Sequence, residues 1–361
     1  MNPKILLTIP NFDTAGSGKV LYDLASGLKN RGVDVSILCS SKKGEFYKTV
    51  ESLGVPIYCL PFTFPYKPYL SVLRRIRPFK NFIREKQFDV VHSWHWSSDW
   101  TEALAVRLAG SKYMFTKKAM SWGNMHWKIR SFLANYIITI NHEMFQFFPW
   151  KKQQSLIPLG LDTHYYAPQP HRQVGSKRVF KIITVANLVP VKGIELLIQA
   201  IHKLNNQNIV LDIIGDTRDI YVRELEILIE NLSLTNQVAF KGKHTDVRPF
   251  FTHADLYVIP TRNMGRKEGM PMALVEAMSM GVPVIGSNIS GINFVLKDFP
   301  NLIFEPDNFE AIADKIQEIY QKDAIDRMSL GISLRNYVIE HFSMDSFISS
   351  HEALYLKLLS Q

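Results

Sequence analysis

The chain is poor in cysteine. Cys39 and Cys59 are its only two in 361 residues, too few for a disulfide framework. Each closes an apolar, β-rich stretch (VSILCS and VPIYCL), so both are expected to be buried free thiols. No apolar run approaches the ~20 residues that span a bilayer, and the first 30 residues lack a secretory-signal pattern. A cytoplasmic location is therefore expected. No His, Cys and Asp residues cluster at metal-ligand spacing. The composition, 46% hydrophobic and 21% charged, excludes disordered, collagen-like and coiled-coil architectures. At roughly 100–200 residues per domain, the length suits two domains. Acidic residues are scarce in the first half. Residues 1–170 carry 22 basic and 11 acidic side chains against 20 and 22 in residues 171–361, so the net charge of +9 resides in the first half. That asymmetry points to an anionic partner: nucleic acid, an anionic membrane surface or a phosphorylated substrate.

What is present is an α/β alternation. KILLTIP reads as a strand, Ala15-Gly16-Ser17-Gly18 as a glycine-bearing turn, and VLYDLASGLKNRG as a helix with apolar residues at helical spacing, capped at Gly32. VDVSILCS follows as a strand, completing a βαβ unit. FDVVHSW, KYMFT and NYIITI read as further strands, with WTEALAVRLAG as a helix. The polar, turn-rich APQPHRQVGSKR at 167–178 reads as a linker. Alternation resumes with VFKIITVAN, GIELLIQAIHKL, NIVLDIIGD, VRELEILIENL, QVAFKG, ADLYVIP, MALVEAMSMG and VPVIGS. The fold class expected is α/β, two Rossmann-like domains facing a cleft, with ligands at the carboxyl ends of the strands.

GSGKV at 16–20 fails the P-loop pattern twice, at Asp13 and Val20. A glycine-rich turn entering a helix still offers backbone N–H groups to an anion, which keeps Gly16 and Gly18 as candidates. In the second half, Val189-Pro-Val-Lys192-Gly193 joins a strand to an amphipathic helix and sets a cation beside a helix N-terminus, an arrangement suited to a diphosphate. Further on, Glu268-Gly-Met-Pro-Met-Ala-Leu-Val-Glu276 places one carboxylate in the turn entering a helix and another along that helix. Carboxylates suit sugar hydroxyls because each accepts several hydrogen bonds.

The succession LVPVKGIELLIQA, IIGD, VAFKG, ADLYVIPT and EGMPMALVEAMSMGVPVI resembles family 4 of the retaining GT-B glycosyltransferases (glycosyl transferases group 1). AGSGKVLYDLASGLKNRGVDVSIL, DVVHSW and IPLGLDTHYYAP extend the resemblance over nearly the whole chain. It implies an acceptor-side domain over 1–168, with 345–361 packing back on it, and a nucleotide-sugar-binding domain over 176–344. By the same resemblance, Lys192 binds the donor diphosphate and Glu268 the donor sugar. Glu276 holds the ribose, backbone groups of Gly269, Met270 and Pro271 line the phosphate and sugar, and Gly16 lies against the phosphate and the acceptor. The activity implied is retaining transfer from a UDP- or GDP-linked donor to a sugar or lipid-linked glycan, with no metal and no cofactor, in surface polysaccharide or glycolipid synthesis. A nucleotide-sugar epimerase, a phosphorylase or a non-catalytic binding protein of the same fold are the alternatives. Nucleic acid is not an expected partner, because the basic residues form no recognised module.

Three departures from the family pattern stand out. Ala186-Asn187 replaces the usual Gly-Arg, so the cation absent at Asn187 is expected from Arg262, Arg266 or Lys267. The first-domain turn has Ala15-Gly16 in place of two glycines. Lys117 and Lys118 stand where a His is common, and are expected on the acceptor side. In HSWHWSSDW, His92 and His95 with Trp94, Trp96 and Trp100 read either as a platform for a sugar ring or as core packing. The stretch 62–86 interleaves seven basic residues with Phe62, Phe64, Tyr66, Tyr69, Phe79 and Phe82. It predicts two short segments broken at Pro78, docking peripherally on the anionic inner face of a membrane.

Overall fold

The computed structural model describes residues 3–13, 15–44, 46–169, 179–265 and 268–360. They form two units, Met1–Gly160 with Met344–Gln361, and Leu161–Ser343. In the first, β1 (Lys4–Ile9), α1 (Ala15–Asn30), β2 (Asp34–Cys39), α2 (Tyr47–Glu51) and β3 (Ile57–Cys59) lead to α3 (Val72–Lys86), β4 (Val90–Ser93) and α4 (Thr101–Ala109). Then come β5 (Lys112–Lys117), α5 (Met125–Leu133), β6 (Tyr136–Thr139) and β7 (Gln154–Leu156). The second unit runs β8 (Phe180–Val185), α6 (Ile194–Leu204), β9 (Ile209–Ile214), α7 (Ile220–Asn231), β10 (Val238–Gly242), α8 (Arg248–Thr252) and β11 (Leu256–Ile259). It continues with α9 (Met272–Ser279), β12 (Val284–Ser287), α10 (Ser290–Val295), β13 (Ile303–Phe304), α11 (Phe309–Gln321) and α12 (Ala324–His341). The final helix α13 (Met344–Leu359) returns to the first unit and packs on α1.

Both sheets are parallel, in the orders β3-β2-β1-β4-β5-β6-β7 and β10-β9-β8-β11-β12-β13. Ile5, Leu6, Leu7 and Ile9 of β1 are fully buried, as are Ile182 and Ile183 of β8. Strands covered on both faces require such near-continuous apolar runs. In each sheet the strand order reverses once, at β1/β4 and at β8/β11. The crevice outside the carboxyl ends at that reversal is where doubly wound sheets bind ligands.

Four sequence expectations change. Cys39 is buried but Cys59 is exposed, because Cys59 lies on the edge strand β3. Residues 161–168 belong with the second unit. There the Leu161 N–H donates to the Phe342 carbonyl (2.8 Å), and Ser279 Oγ (2.6 Å) and Arg335 Nη1 (3.1 Å) donate to that of Tyr166. Most of the anticipated linker, 170–178, lies outside the described residues. Pro78 does not split its segment, since α3 runs through it. The carbonyl its missing N–H would leave unpaired belongs to Arg74. Both residues are exposed, so that carbonyl lies on the solvent side of the helix, where a missing partner costs least. Finally, Ala15-Gly16-Ser17-Gly18 is the first turn of α1 and not a turn before it.

Candidate active site

In the second unit, the ends of β8 and β11 and the start of α9 enclose an open pocket of about 540 Å³, lined by Thr184, Ala186, Lys192, Thr261, Glu268, Met270 and Pro271 among others. Gly193 shapes its floor. Its φ is +66°, and a Cβ there would meet the Pro260 carbonyl oxygen at 2.2 Å, so only glycine lets the Lys192 turn close on β11. A Cβ on Gly291 would likewise meet the Glu268 carbonyl oxygen at 2.7 Å, which ties the Glu268-Gly269 loop to α10.

Lys192 and Glu268 are brought together as an ion pair. Burial pulls the Lys192 ammonium down to about 8. Glu276 is half-buried on α9 near Tyr166, and burial followed by the Glu276 charge holds that phenol far above its usual range. Arg335 fastens α9 from below. Its Nη1 donates to the Ser279 carbonyl (2.5 Å) and its Nη2 to that of Thr163 (3.2 Å), placing a cation at the helix C-terminus.

Arg262 does not supply the cation absent at Asn187. Its Nε donates to Asp307 (2.6 Å) and its Nη1 to Glu195 (3.0 Å), so two carboxylates neutralise it. Arg266 and Lys267 lie outside the described residues. Asn187 instead lines a second depression of about 670 Å³ with Asp216 and Arg218. Arg218, missed in the sequence, is largely exposed and pairs with Asp216 at 2.5 Å. The signal was its place just after IIGD, at the end of a strand neighbouring β8.

In the first unit the expected acceptor-side residues separate. His92 is fully buried, with Nδ1 2.7 Å from the Tyr355 hydroxyl and Nε2 2.7 Å from Thr116 Oγ1. It is a core residue and meets no acceptor. Trp94 and Trp100 are buried as well. Lys117 is turned inward: its Nζ lies 4.0 Å from the Trp127 ring centroid and donates to the Ser121 carbonyl at 2.5 Å. Burial by α13 and by α5 respectively removes His92 and Lys117 from the expected site. Lys118 stays at the surface of the fold, donating to the Trp94 carbonyl (2.7 Å) and to Ser17 Oγ (3.1 Å). It thus joins the end of β5 to the first turn of α1, beside the exposed Gly16. His95 stacks on Trp96 with ring centroids 5.9 Å apart, and burial, with Arg130 and Lys118 nearby, lowers its imidazole to about 3. The aromatic stretch is mostly core. Phe62 and Phe79 are fully buried and Phe64, Tyr66 and Phe82 pack against the same cluster, whereas Tyr69, Leu70 and Leu73 are exposed.

Two family models match the chain: Glycosyltransferase Family 4 over residues 14–165 and Glycosyl transferases group 1 over residues 169–336. Among curated relatives, a colanic acid biosynthesis glycosyltransferase of Escherichia coli K12 is 29% identical over 56% of this chain and 50% of its own length. The UDP-Gal:α-D-GlcNAc-diphosphoundecaprenol α-1,3-galactosyltransferase of Escherichia coli is 20% identical over 92% of this chain and 91% of its own. The chain thus spans about half of the first relative and nearly all of the second. Among solved structures, a glycosyltransferase from Rickettsia africae superposes with a TM-score of 0.88 at 19% identity, covering 99% of both chains. The HepE protein of Anabaena in complex with UDP gives 0.83 at 20% identity, covering 99% of this chain and 100% of that one. At such identities these structures establish the fold, two Rossmann-like domains of GT-B type.

Proposed function

Because the chain belongs to the family 4, group 1 glycosyl transferases, we propose that it transfers a sugar from a nucleotide-diphosphate sugar to an acceptor hydroxyl, with retention at the anomeric carbon. The observation that carries this reading is the pocket at the β8/β11 reversal, which holds one ammonium and one carboxylate side by side. The bond from C1 to the phosphate oxygen breaks with its electron pair leaving on the diphosphate. The acceptor oxygen bonds C1 from the face just vacated, and its proton passes to the departing phosphate. Lys192 stabilises the charge on that phosphate, and N–H groups entering α9 add to it. Glu268, released from Lys192 by the incoming diphosphate, accepts hydrogen bonds from the sugar hydroxyls. Glu276, half-buried near Tyr166, accepts those of the ribose. Arg218, in the neighbouring depression beside Asn187 and held there by the single carboxylate of Asp216, is the second cation of this reading, exchanging that partner for the diphosphate. No metal enters the step.

The donor is UDP- or GDP-linked, and UDP has support from the Anabaena complex. The acceptor is a lipid-linked glycan of surface polysaccharide or glycolipid synthesis, in line with the names of the Escherichia coli relatives. No helix among the described residues is long and apolar enough to cross a membrane. The acceptor is met instead at the anionic inner face, through the basic first unit. The test is mass spectrometry of products from a panel of UDP- and GDP-sugars with a GlcNAc-diphospho-lipid acceptor, in EDTA, followed by NMR of the new anomeric proton. A product with inverted configuration, or activity that EDTA abolishes, overturns those parts of the reading. Failure to bind either UDP or GDP overturns all of it.

A further inference from the structure

Below the segment that follows β4, the chain buries a complete ion pair that the mechanism above does not use. Glu102, in the first turn of α4, and Arg130, on α5, are both fully buried with charged atoms 3.7 Å apart. All five donors of Arg130 are occupied. Nε donates to the Tyr113 hydroxyl (3.0 Å), Nη1 to the carbonyls of His95 (3.1 Å) and Ser97 (2.5 Å), and Nη2 to Ser93 Oγ (2.9 Å) and the Tyr113 hydroxyl (2.9 Å). Glu102 accepts from Ser93 Oγ (2.6 Å), from the Tyr113 hydroxyl (3.0 Å) and from Thr8 Oγ1 at the end of β1. Apolar side chains of the same volume often stabilise a core as well as a buried ion pair does, or better. Packing alone therefore does not account for these residues. What the guanidinium adds is a planar fork that holds two loop carbonyls with no sheet partner.

We propose that Glu102 and Arg130 are a positioning pair that fixes residues 93–97 at the β1/β4 reversal, so that His95 and Trp96 face the acceptor in one conformation. The acceptor role rests on the function proposed above; the fixing of the segment does not. His95 fits the part. Ser97 Oγ lies 2.8 Å from its Nδ1, its ring stacks on Trp96, and the adjacent Arg130 charge helps to keep it neutral. Glu102 reaches back to β1 through Thr8, so the same pair ties the β4 segment to the strand that leads into α1.

Two variants of the full chain test this. Arg130→Lys keeps the charge and loses the fork, while Glu102→Leu with Arg130→Met removes both charges and keeps the volume. Hydrogen exchange over residues 94–98, the affinity for UDP, and kcat and KM for the GlcNAc-diphospho-lipid are measured in each. In Arg130→Lys, exchange at 94–98 and the acceptor KM should both rise about tenfold or more, with UDP affinity unchanged. The double variant should melt near the wild-type temperature yet keep the fast exchange and the raised KM. Wild-type exchange and KM in the double variant, or exchange raised uniformly across the first unit in Arg130→Lys, overturns the proposal and makes the pair a packing element. If the wild type does not use the lipid, the acceptor reading fails, and the exchange measurement alone decides whether the pair fixes the segment.

Discussion

Lys192 sits where a positive charge is costly to keep. Burial brings its ammonium to about 8, so the free protein carries the charge at pH 7 and sheds it above pH 8. A diphosphate binds the protonated form. Affinity for UDP should therefore hold from pH 7 to 8 and then fall by about tenfold per pH unit, as calorimetry at pH 7, 8, 9 and 10 would register. In Lys192→Met the affinity should be low and flat over the same range. A wild-type affinity unchanged to pH 9.5 removes Lys192 from the phosphate. The two glutamates should separate in the opposite sense. Glu268→Ala should abolish most turnover but free Lys192 from its partner, so bare UDP should bind as well as before or better. Glu276→Ala should weaken UDP and donor alike, by about 10–200-fold for the 1.5–3 kcal/mol of a charged hydrogen bond. Full turnover in Glu268→Ala would sink its assignment.

At the scale of elements, what could be read in the sequence followed from locality. The strands β1, β4, β5, β8, β9 and β11 announce themselves because doubly buried strands are continuous apolar runs. The donor-side loop is legible because the spacing from Glu268 to Glu276 encodes one loop and the helix it enters. Helices α5, α11 and α12 were not foreseen, although Asn124, Asn308 and Asp323 cap them and each carries the signature of a helix start. Lys117 was misplaced because Trp127 of the unexpected helix α5 covers it, and His92 because what buries it is remote. Tyr355 lies 263 residues beyond His92 in sequence, and no local pattern reports such a partner. Arg130 was overlooked for the same reason, its acceptors lying on β4, β5 and the loop between β4 and α4. The docking expected of 62–86 narrows to fewer residues. With Phe62 and Phe79 in the core, the side chains left for the expected docking are the exposed tip of Tyr69, Leu70 and Leu73, flanked by the exposed Lys67, Arg74 and Arg77. Each cation near an anionic surface contributes about 1 kcal/mol, screened by salt, and the leucines add shallow insertion. Vesicles containing anionic lipid should sediment the wild type at low salt. Leu70→Ser with Leu73→Ser should reduce that several-fold, and Arg74→Glu with Arg77→Glu should abolish it. Wild-type protein left in the supernatant at low salt would end the docking idea.

At the scale of the molecule, the chain leaves its first unit at Gly160 and completes it only with the last helix. Arg31 anchors α13 at the surface, reaching Asp345 (2.5 Å) and Glu352 (3.0 Å); exposed pairs of this kind add little. The buried contact is a set of aromatic and imidazole rings, His92 on Tyr355, with His351 stacked on His92 and on Trp94. Burial lowers His92 well below its ordinary value and His351 to about 4, as it does His95 to about 3. His351 Nε2 and Trp94 Nε1 have no hydrogen-bond partner among the described residues, so nothing there welcomes a proton. The unfolded chain takes up protons on these rings near pH 6.5 and the folded chain does not. Stability is therefore complete above pH 6.5 and is lost as pH falls from there toward 4, at about 1.4 kcal/mol per pH unit for each ring. Melting temperatures of the full chain should decline across that window while staying level between pH 6.5 and 8. His351→Leu should make the decline shallower by the share of one ring, because it removes a titrating group and an unpartnered nitrogen together. A slope in His351→Leu equal to that of the wild type would mean that the rings joining α13 to the rest of the unit are already wet or charged.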